Sequence, residues 1–174
     1  MRYIKIFTAI LVMSTAAFAT SNIQLGASSN DFDSKATKGG VYLGIDTTTN
    51  LKNGFLLGMG FNINIFKIER KQVIGNNVHT TSGGAYTMSA DALVGYTLKD
   101  RFNIPLTFKT GIGYGITHDN IINNNSWALI YSGDIVYKIY KSIGIGVRYS
   151  TTDTQLLRVD SNLQSTIGYL NIEF

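Results

Sequence analysis

Eight segments of this chain alternate apolar and polar residues with a period of two, at 22–28, 39–48, 54–67, 84–98, 103–117, 126–140, 143–151 and 163–174. That is the period of a β-strand with unlike faces, so an all-β fold is predicted. The connections alternate in length. Residues 29–38, 68–83, 118–125 and 152–162 are long and polar, rich in Asn, Ser, Thr, Gly and Asp, whereas 49–53, 99–102 and 141–142 are short. An up-and-down barrel with long loops at one end and tight turns at the other has this arrangement. It also brings both chain ends to the turn end, where the first strand can pair with the last.

The faces decide the solvent. One face of 84–98 carries Tyr86, Met88, Ala90, Ala92, Val94 and Tyr96; one face of 103–117 carries Ile104, Leu106, Phe108, Thr110, Ile112 and Tyr114. In 126–140 the matching set is Trp127, Leu129, Tyr131, Gly133, Ile135, Tyr137 and Ile139. These bands suit the roughly 9–11 tilted residues that cross a hydrocarbon layer. Trp127, Tyr86 and Tyr114 fall toward one interface and Tyr96, Tyr137 and Phe174 toward the other, as in aromatic girdles. The opposite faces are polar or small: Thr87, Ser89, Asp91, Gly95 and Thr97, then Thr107, Lys109, Gly111, Gly113 and Gly115. A soluble sandwich has the reverse, apolar in and polar out. Leu56, Phe66, Leu93, Ile130, Val136 and Ile167 also point inward by phase, so part of the interior is apolar filling.

The front of the chain is a targeting segment. Arg2 and Lys5 precede the apolar run Ile6–Met13, which ends in small residues with Ala17-Phe18-Ala19 as an A-x-A cleavage site. Residues 1–19 are therefore expected to be a cleaved signal peptide, and 20–174 the barrel domain. The run is too short to anchor in a bilayer, which takes about 20 apolar residues. Two of the 15 basic residues lie in this leader, leaving 13 against 11 acidic ones. Nothing in that near balance supports nucleic-acid binding. With no cysteine there is no disulfide framework.

Short turns suggest lumen pairs. Centring the fourth and fifth strands on Asp100 sets Asp91 opposite Lys109, and centring the sixth and seventh on Lys141 sets Asp134 opposite Arg148. A register centred on Ser142 would separate the second pair. The charges form either an ion-filtering constriction or a salt-bridged plug, and an eight-stranded barrel is narrow enough for side chains to fill.

Catalytic and metal chemistry find little purchase. His79 and His118, with Ser82, Asp119 and Glu69, fall near the loop end, but His79 is followed by Thr80 and Thr81, and His118 by Asp119 and Asn120. Neither supplies an activated nucleophile. Two scattered histidines without cysteine make no metal cluster. No catalytic, cofactor or metal residues are assigned. Lys67, Glu69, Arg70 and Lys71 form a charged patch in the second loop. There Lys67, Arg70 and Lys71 could contact the phosphates of lipopolysaccharide, or simply be solvated. Leu156 and Leu157 in the fourth loop either meet a partner or fold over the mouth.

The leader ending Ala17-Phe18-Ala19, the eight alternating segments and the closing strand Tyr169-Leu-Asn-Ile-Glu-Phe174 resemble the small bacterial outer-membrane β-barrel superfamily, which includes the OmpA membrane domain, OmpX, OmpW and opacity-type proteins. The resemblance implies an eight-stranded antiparallel up-and-down transmembrane barrel. It implies a monomer among outer-membrane lipids and lipopolysaccharide, inserted by the barrel assembly machinery through Leu170, Ile172 and Phe174. The chain ends without the periplasmic domain of full-length OmpA proteins, so wall anchoring is not expected. The expected function is a non-enzymatic surface barrel acting through its loops. The alternatives are a narrow channel for ions or small apolar solutes, a lipid A-modifying enzyme, and a soluble lipocalin-like barrel.

Overall fold

The computed structural model describes residues 19–32, 38–74 and 77–174. The expected leader, apart from Ala19, lies outside the described residues. Eight antiparallel strands close into a barrel in chain order: β1 (Ala19–Phe32), β2 (Lys38–Asn50), β3 (Phe55–Ile74), β4 (Asn77–Thr97), β5 (Leu106–Asp119), β6 (Asn124–Tyr140), β7 (Ile143–Leu156) and β8 (Val159–Glu173). β1 closes on β8 from Asn22↔Glu173 to Phe32↔Leu163.

The alternation maps onto the wall as expected. Val41, Leu43, Ile45, Leu57, Phe61, Ile65, Val94, Ile112, Tyr131, Ile135 and Val147 are exposed on the outside. Their in-strand neighbours Tyr42, Asp46, Asn62, Asn64, Asp91, Asp134 and Arg148 are buried within. An apolar outside around a polar inside has hydrocarbon as its natural solvent, and closure leaves no strand edge exposed to it. The fold is a transmembrane β-barrel, and the soluble lipocalin-like alternative is overturned by the apolar outer belt.

Two expectations about the connections are corrected. Two of the segments expected to be long loops, 68–83 and 152–162, are mostly strand among the described residues; 120–123 is a turn as expected, and 33–37 of the first expected loop lies outside the described residues. β3 and β4 pair from Phe55↔Tyr96 to Ile74↔Asn77, so residues 68–74 and 77–83 hold a continuing ladder. β2 stops pairing with β3 at Gly40↔Phe66, and β5 stops pairing with β4 at Ala85↔Asp119. The eight pairs beyond, Lys67↔Gly84 to Ile74↔Asn77, have no third strand paired beside them and form a two-stranded ribbon roughly 25 Å long, its base held on the barrel by Ile68 in the outer apolar cluster. β7 and β8 likewise run on to Leu156↔Val159, leaving only 157–158 as a turn. Backbone pairing needs no apolar face, so a polar segment can extend a ladder as readily as leave it.

The second correction concerns the β4–β5 turn. It spans 98–105 rather than 99–102, with a helical turn at Lys99–Phe102 closed by Asn103 in the left-handed region at φ 55°. The hairpin is consequently centred on residue 102, not 100. Asp91 faces Gly113, and Lys109 faces Gly95. Asp91 and Lys109 are not partners.

The interior is layered. At the outer end Phe66, Ile68, Ala85, Leu156 and Leu163 form a buried apolar cluster, with Phe32, Ile121 and Leu157 packed against it. Leu156 and Leu157 thus fold over the mouth. Below lie polar layers, and at the turn end a vestibule of about 170 Å³ opens, lined in part by Lys99, Lys109, Lys138 and Glu173.

Candidate functional site

Inward glycines make the lumen chemistry possible. A Cβ on Gly113 would overlap Asp91 Oδ1, and one on Gly146 would overlap the Tyr169 ring. A narrow barrel has room for large side chains only where facing positions are empty.

Two ion pairs cross the space so cleared. Lys109 on β5 donates to Asp46 Oδ2 on β2, and Arg148 Nη2 on β7 donates to Asp91 Oδ2 on β4. Asp134 sits opposite Arg148 in the β6–β7 register, but its Oδ2 lies 3.8 Å from Arg148 Nη1, outside hydrogen-bonding range. It accepts instead from Tyr169 OH at 3.0 Å. Arg148 Nη1 donates to Tyr42 OH at 3.0 Å and Asn62 Oδ1 at 3.1 Å, while Nη2 also reaches Ser132 Oγ at 2.9 Å. Tyr42 OH donates to Gln24 Oε1 at 2.8 Å. Asp46 takes further hydrogen bonds from Asn22 Nδ2 at 2.8 Å and Gln24 Nε2 at 2.6 Å.

Three buried carboxylates (Asp46, Asp91, Asp134) therefore share two buried cations, Lys109 and Arg148. The surplus negative charge is held by neutral donors. Asn62 Nδ2 donates to Asp91 at 2.6 Å, alongside Tyr169, Asn22 and Gln24 on the other two. Charge-assisted bonds of this kind are worth roughly twice neutral ones. The network fixes one arrangement of side chains across the lumen. A higher layer, Ser28, Asn30, Asn64 and Ser165, bonds to itself in the same way. A cavity of about 30 Å³, room for a water or so, lies among these layers, lined by Tyr42, Asn62 and Arg148 at one side and Asn64, Ser165 and Leu163 at the other.

Asp46, Asn62 and Tyr42 escape a reading of the sequence that pairs only cross-strand neighbours. A sharper signal lies in the inward phase of β2, where Tyr42, Gly44, Asp46 and Thr48 fall on one face.

The remaining residues singled out in the sequence lie apart. His79 is exposed, opposite Gln72 on the ribbon. His118 Nδ1 lies 2.8 Å from Asn125 Oδ1, and its ring sits 5.2 Å from that of Tyr86. Ser82 is exposed, opposite Glu69, whose carboxylate holds Lys38 at 2.9 Å. Asp119 is buried and accepts from the backbone N–H groups of Ile122 at 3.1 Å and Leu157 at 3.2 Å, tying two outer turns together. Among the described residues no three His, Asp or Glu side chains are grouped to hold a metal. Lys67 is exposed at the ribbon base; Arg70 and Lys71 lie on β3, with side chains outside the described set. Leu170, Ile172 and Phe174 all face outward on or just beyond β8, which pairs with β1 through Leu25↔Leu170 and Ile23↔Ile172.

The family described as Domain of unknown function (DUF2715) matches residues 7–172. No curated protein matches the sequence. Among solved structures, Ail, the attachment invasion locus protein of Yersinia pestis, in complex with the heparin analogue sucrose octasulfate, aligns with a TM-score of 0.56 at 12% identity, over 90% of this chain and 99% of that one. Neisserial surface protein A gives 0.56 at 8% identity, over 90% and 97%. The outer membrane protein OprG from Pseudomonas aeruginosa gives 0.54 at 12%, over 91% and 96%. At these identities the likeness is one of fold.

Proposed function

This chain belongs to the DUF2715 family, and we propose that it is a non-enzymatic outer-membrane protein whose barrel is sealed and whose work is done at the outer surface. The observation that carries this reading is the Arg148–Asp91 bridge with its surrounding bonds, closed above by the Phe66–Leu163 cluster. A lumen blocked at two heights passes nothing of solute size. The outer end is elaborated instead, with the ribbon beyond Lys67 and Gly84 and the linked turns at 120–123 and 157–158.

Export through the leader at 1–19, insertion by the assembly machinery through Leu170, Ile172 and Phe174, and a monomeric state are parts of the same proposal. So is contact of Lys67, Arg70 and Lys71 with lipopolysaccharide phosphates. The heparin analogue bound by Ail is a polyanion of related chemistry on a barrel of this fold. The test is single-channel recording of the refolded mature protein in a planar bilayer. A silent but inserted protein is expected, and steady reproducible steps would overturn the sealed-barrel reading.

A narrow channel is the second reading. What favours it is that the obstruction consists of side chains only, with a vestibule below and a small cavity above the Arg148 layer.

A further inference from the structure

The barrel wall forks at its outer rim. β6 and β7 begin pairing at Leu129↔Asp153, yet β6 continues upward with β5 to Asp119↔Asn124, and β7 continues with β8 to Leu156↔Val159. Above Leu129 the two hairpins diverge, and Thr154 Oγ bonding to Trp127 O at 3.1 Å marks the crotch. Between them lies an open cleft of about 780 Å³, within the size range of small-molecule sites.

Its lining is chemically one-sided. Trp127 is 68% exposed, and its ring stacks on Tyr114 at 5.3 Å and 13°, which holds the indole in place. Asp153 Oδ1 accepts from Asn162 Nδ2 at 2.7 Å, and Asp160 Oδ1 from Gln155 Nε2 at 2.8 Å. Each carboxylate is thus oriented by an amide, with its Oδ2 bonded to no protein group among the described residues. Asn125 completes the polar wall, and no lysine or arginine lines it.

We propose that this fork binds an oligosaccharide whose residues are uncharged or amino-bearing. A flat aromatic face packs against the apolar C–H face of a pyranose, and it attracts an ammonium when one is present. Fixed carboxylate oxygens accept sugar hydroxyls or ammonium groups in charge-assisted bonds. Their orientation before binding reduces the ordering cost. The same two charges repel sulfated or phosphorylated sugars. The sugar can come from the head of an outer-leaflet glycolipid or arrive free in solution, because the chemistry recognised is common to both.

Trp127 is the one tryptophan of the chain, so intrinsic fluorescence reports on the cleft directly. The refolded barrel in detergent micelles is titrated with a glucosamine trimer, an N-acetylglucosamine trimer and a sulfated trimer. Saturable changes are expected with the first two, tighter for glucosamine, and none with the sulfated sugar. Asp153→Asn with Asp160→Asn should weaken the glucosamine trimer about tenfold. Gln155→Ala, which frees Asp160, is a second variant at this exposed position and should also weaken it. Loss of response to both unsulfated sugars, or tighter binding of the sulfated one, would overturn the site. In vesicles of outer-membrane glycolipid, a spectrum already shifted and insensitive to added trimer supports the lipid head as the source; a retained titration supports a free glycan. The site rests on the surface-barrel reading, but the two fail separately. Channel steps would sink the sealed barrel without changing the titration, and a silent barrel blind to sugar would sink only the cleft.

Discussion

Lys109 on β5 and Asp46 on β2 meet across the lumen, 63 positions apart in sequence and not on adjacent strands. Arg148 on β7 and Asp91 on β4 repeat the relationship one layer away. Such bridges tie opposite walls together, which neighbouring backbone ladders cannot do.

Lys109→Met should test how far this bridge is desolvated. It leaves Asp46 with two amide donors and no cation. Removal of one partner from a buried pair costs about 3 kcal/mol or more. Equilibrium urea unfolding from lipid vesicles should show that loss, and adding Asp46→Asn should recover most of it. A loss near zero would mean that water reaches the pair through the vestibule.

Arg148→Ala removes the donor group at the centre of the seal. It leaves Asp91 without its cation and Asp134 with only Lys109, its partner across the β5–β6 ladder, and it opens a path between the vestibule and the upper cavity. Because the Phe66–Leu163 cluster still closes the outer end, this variant alone should stay silent in planar bilayers, with a stability loss of about 3 kcal/mol or more; current steps should appear only when Phe66→Ala and Leu163→Ala open the cluster as well. Steps from Arg148→Ala alone would show that the Phe66–Leu163 cluster does not close the mouth.

Two strand glycines should behave oppositely. Gly113→Ala drives a methyl into Asp91 and should cost about 1–3 kcal/mol. Gly133 faces outward, and a methyl added there would have nothing within 4 Å. Gly133→Ala should therefore be neutral or gain about 0.5 kcal/mol. Paired unfolding curves decide whether inward glycines serve clearance or merely chain flexibility.

The β7–β8 turn is strained. Leu157 and Arg158 both adopt positive φ, 54° and 62°, where a side chain is disfavoured by about 1 kcal/mol or more. Arg158→Gly should therefore raise stability by about 1 kcal/mol. Leu157→Gly should gain little, because relief of strain is offset by lost packing on the outer cluster. Equal gains from both would mean that Leu157 contributes nothing to the mouth.

Much of the wall is legible in the sequence. The period of two is a local property, so the inward placement of Asp91, Lys109, Asp134 and Arg148 follows from phase alone. The opposition of Asp134 and Arg148 agrees with a hairpin centred on Lys141, but it is reached through a two-residue turn at 141–142 followed by a one-residue register shift between Lys138 and Tyr140, which the sequence does not announce. Register across a longer turn is not local. Pro105 and the helical turn at Lys99–Phe102 move the β4–β5 centre by two residues, keeping parity and changing every partner. The transverse bridges depend on strand tilt and shear, which no single hairpin encodes. The strand extensions at 68–74, 77–83 and 152–162 are hidden because, apart from Ile68 and Leu156, they lack a regular apolar–polar alternation. The β6–β7 fork leaves no trace in the pattern at all.

The seam between β1 and β8 has a consequence for how such a chain is made. Every other strand pair joins residues close in sequence and can zip as soon as both arms exist. The last seam joins Asn22 to Glu173, nearly the whole chain apart. Until β8 arrives, the curled sheet carries two raw margins in a medium that cannot solvate them. A chain cut short before Val159 is thus not a slightly smaller barrel but an open one, and completion is all or nothing.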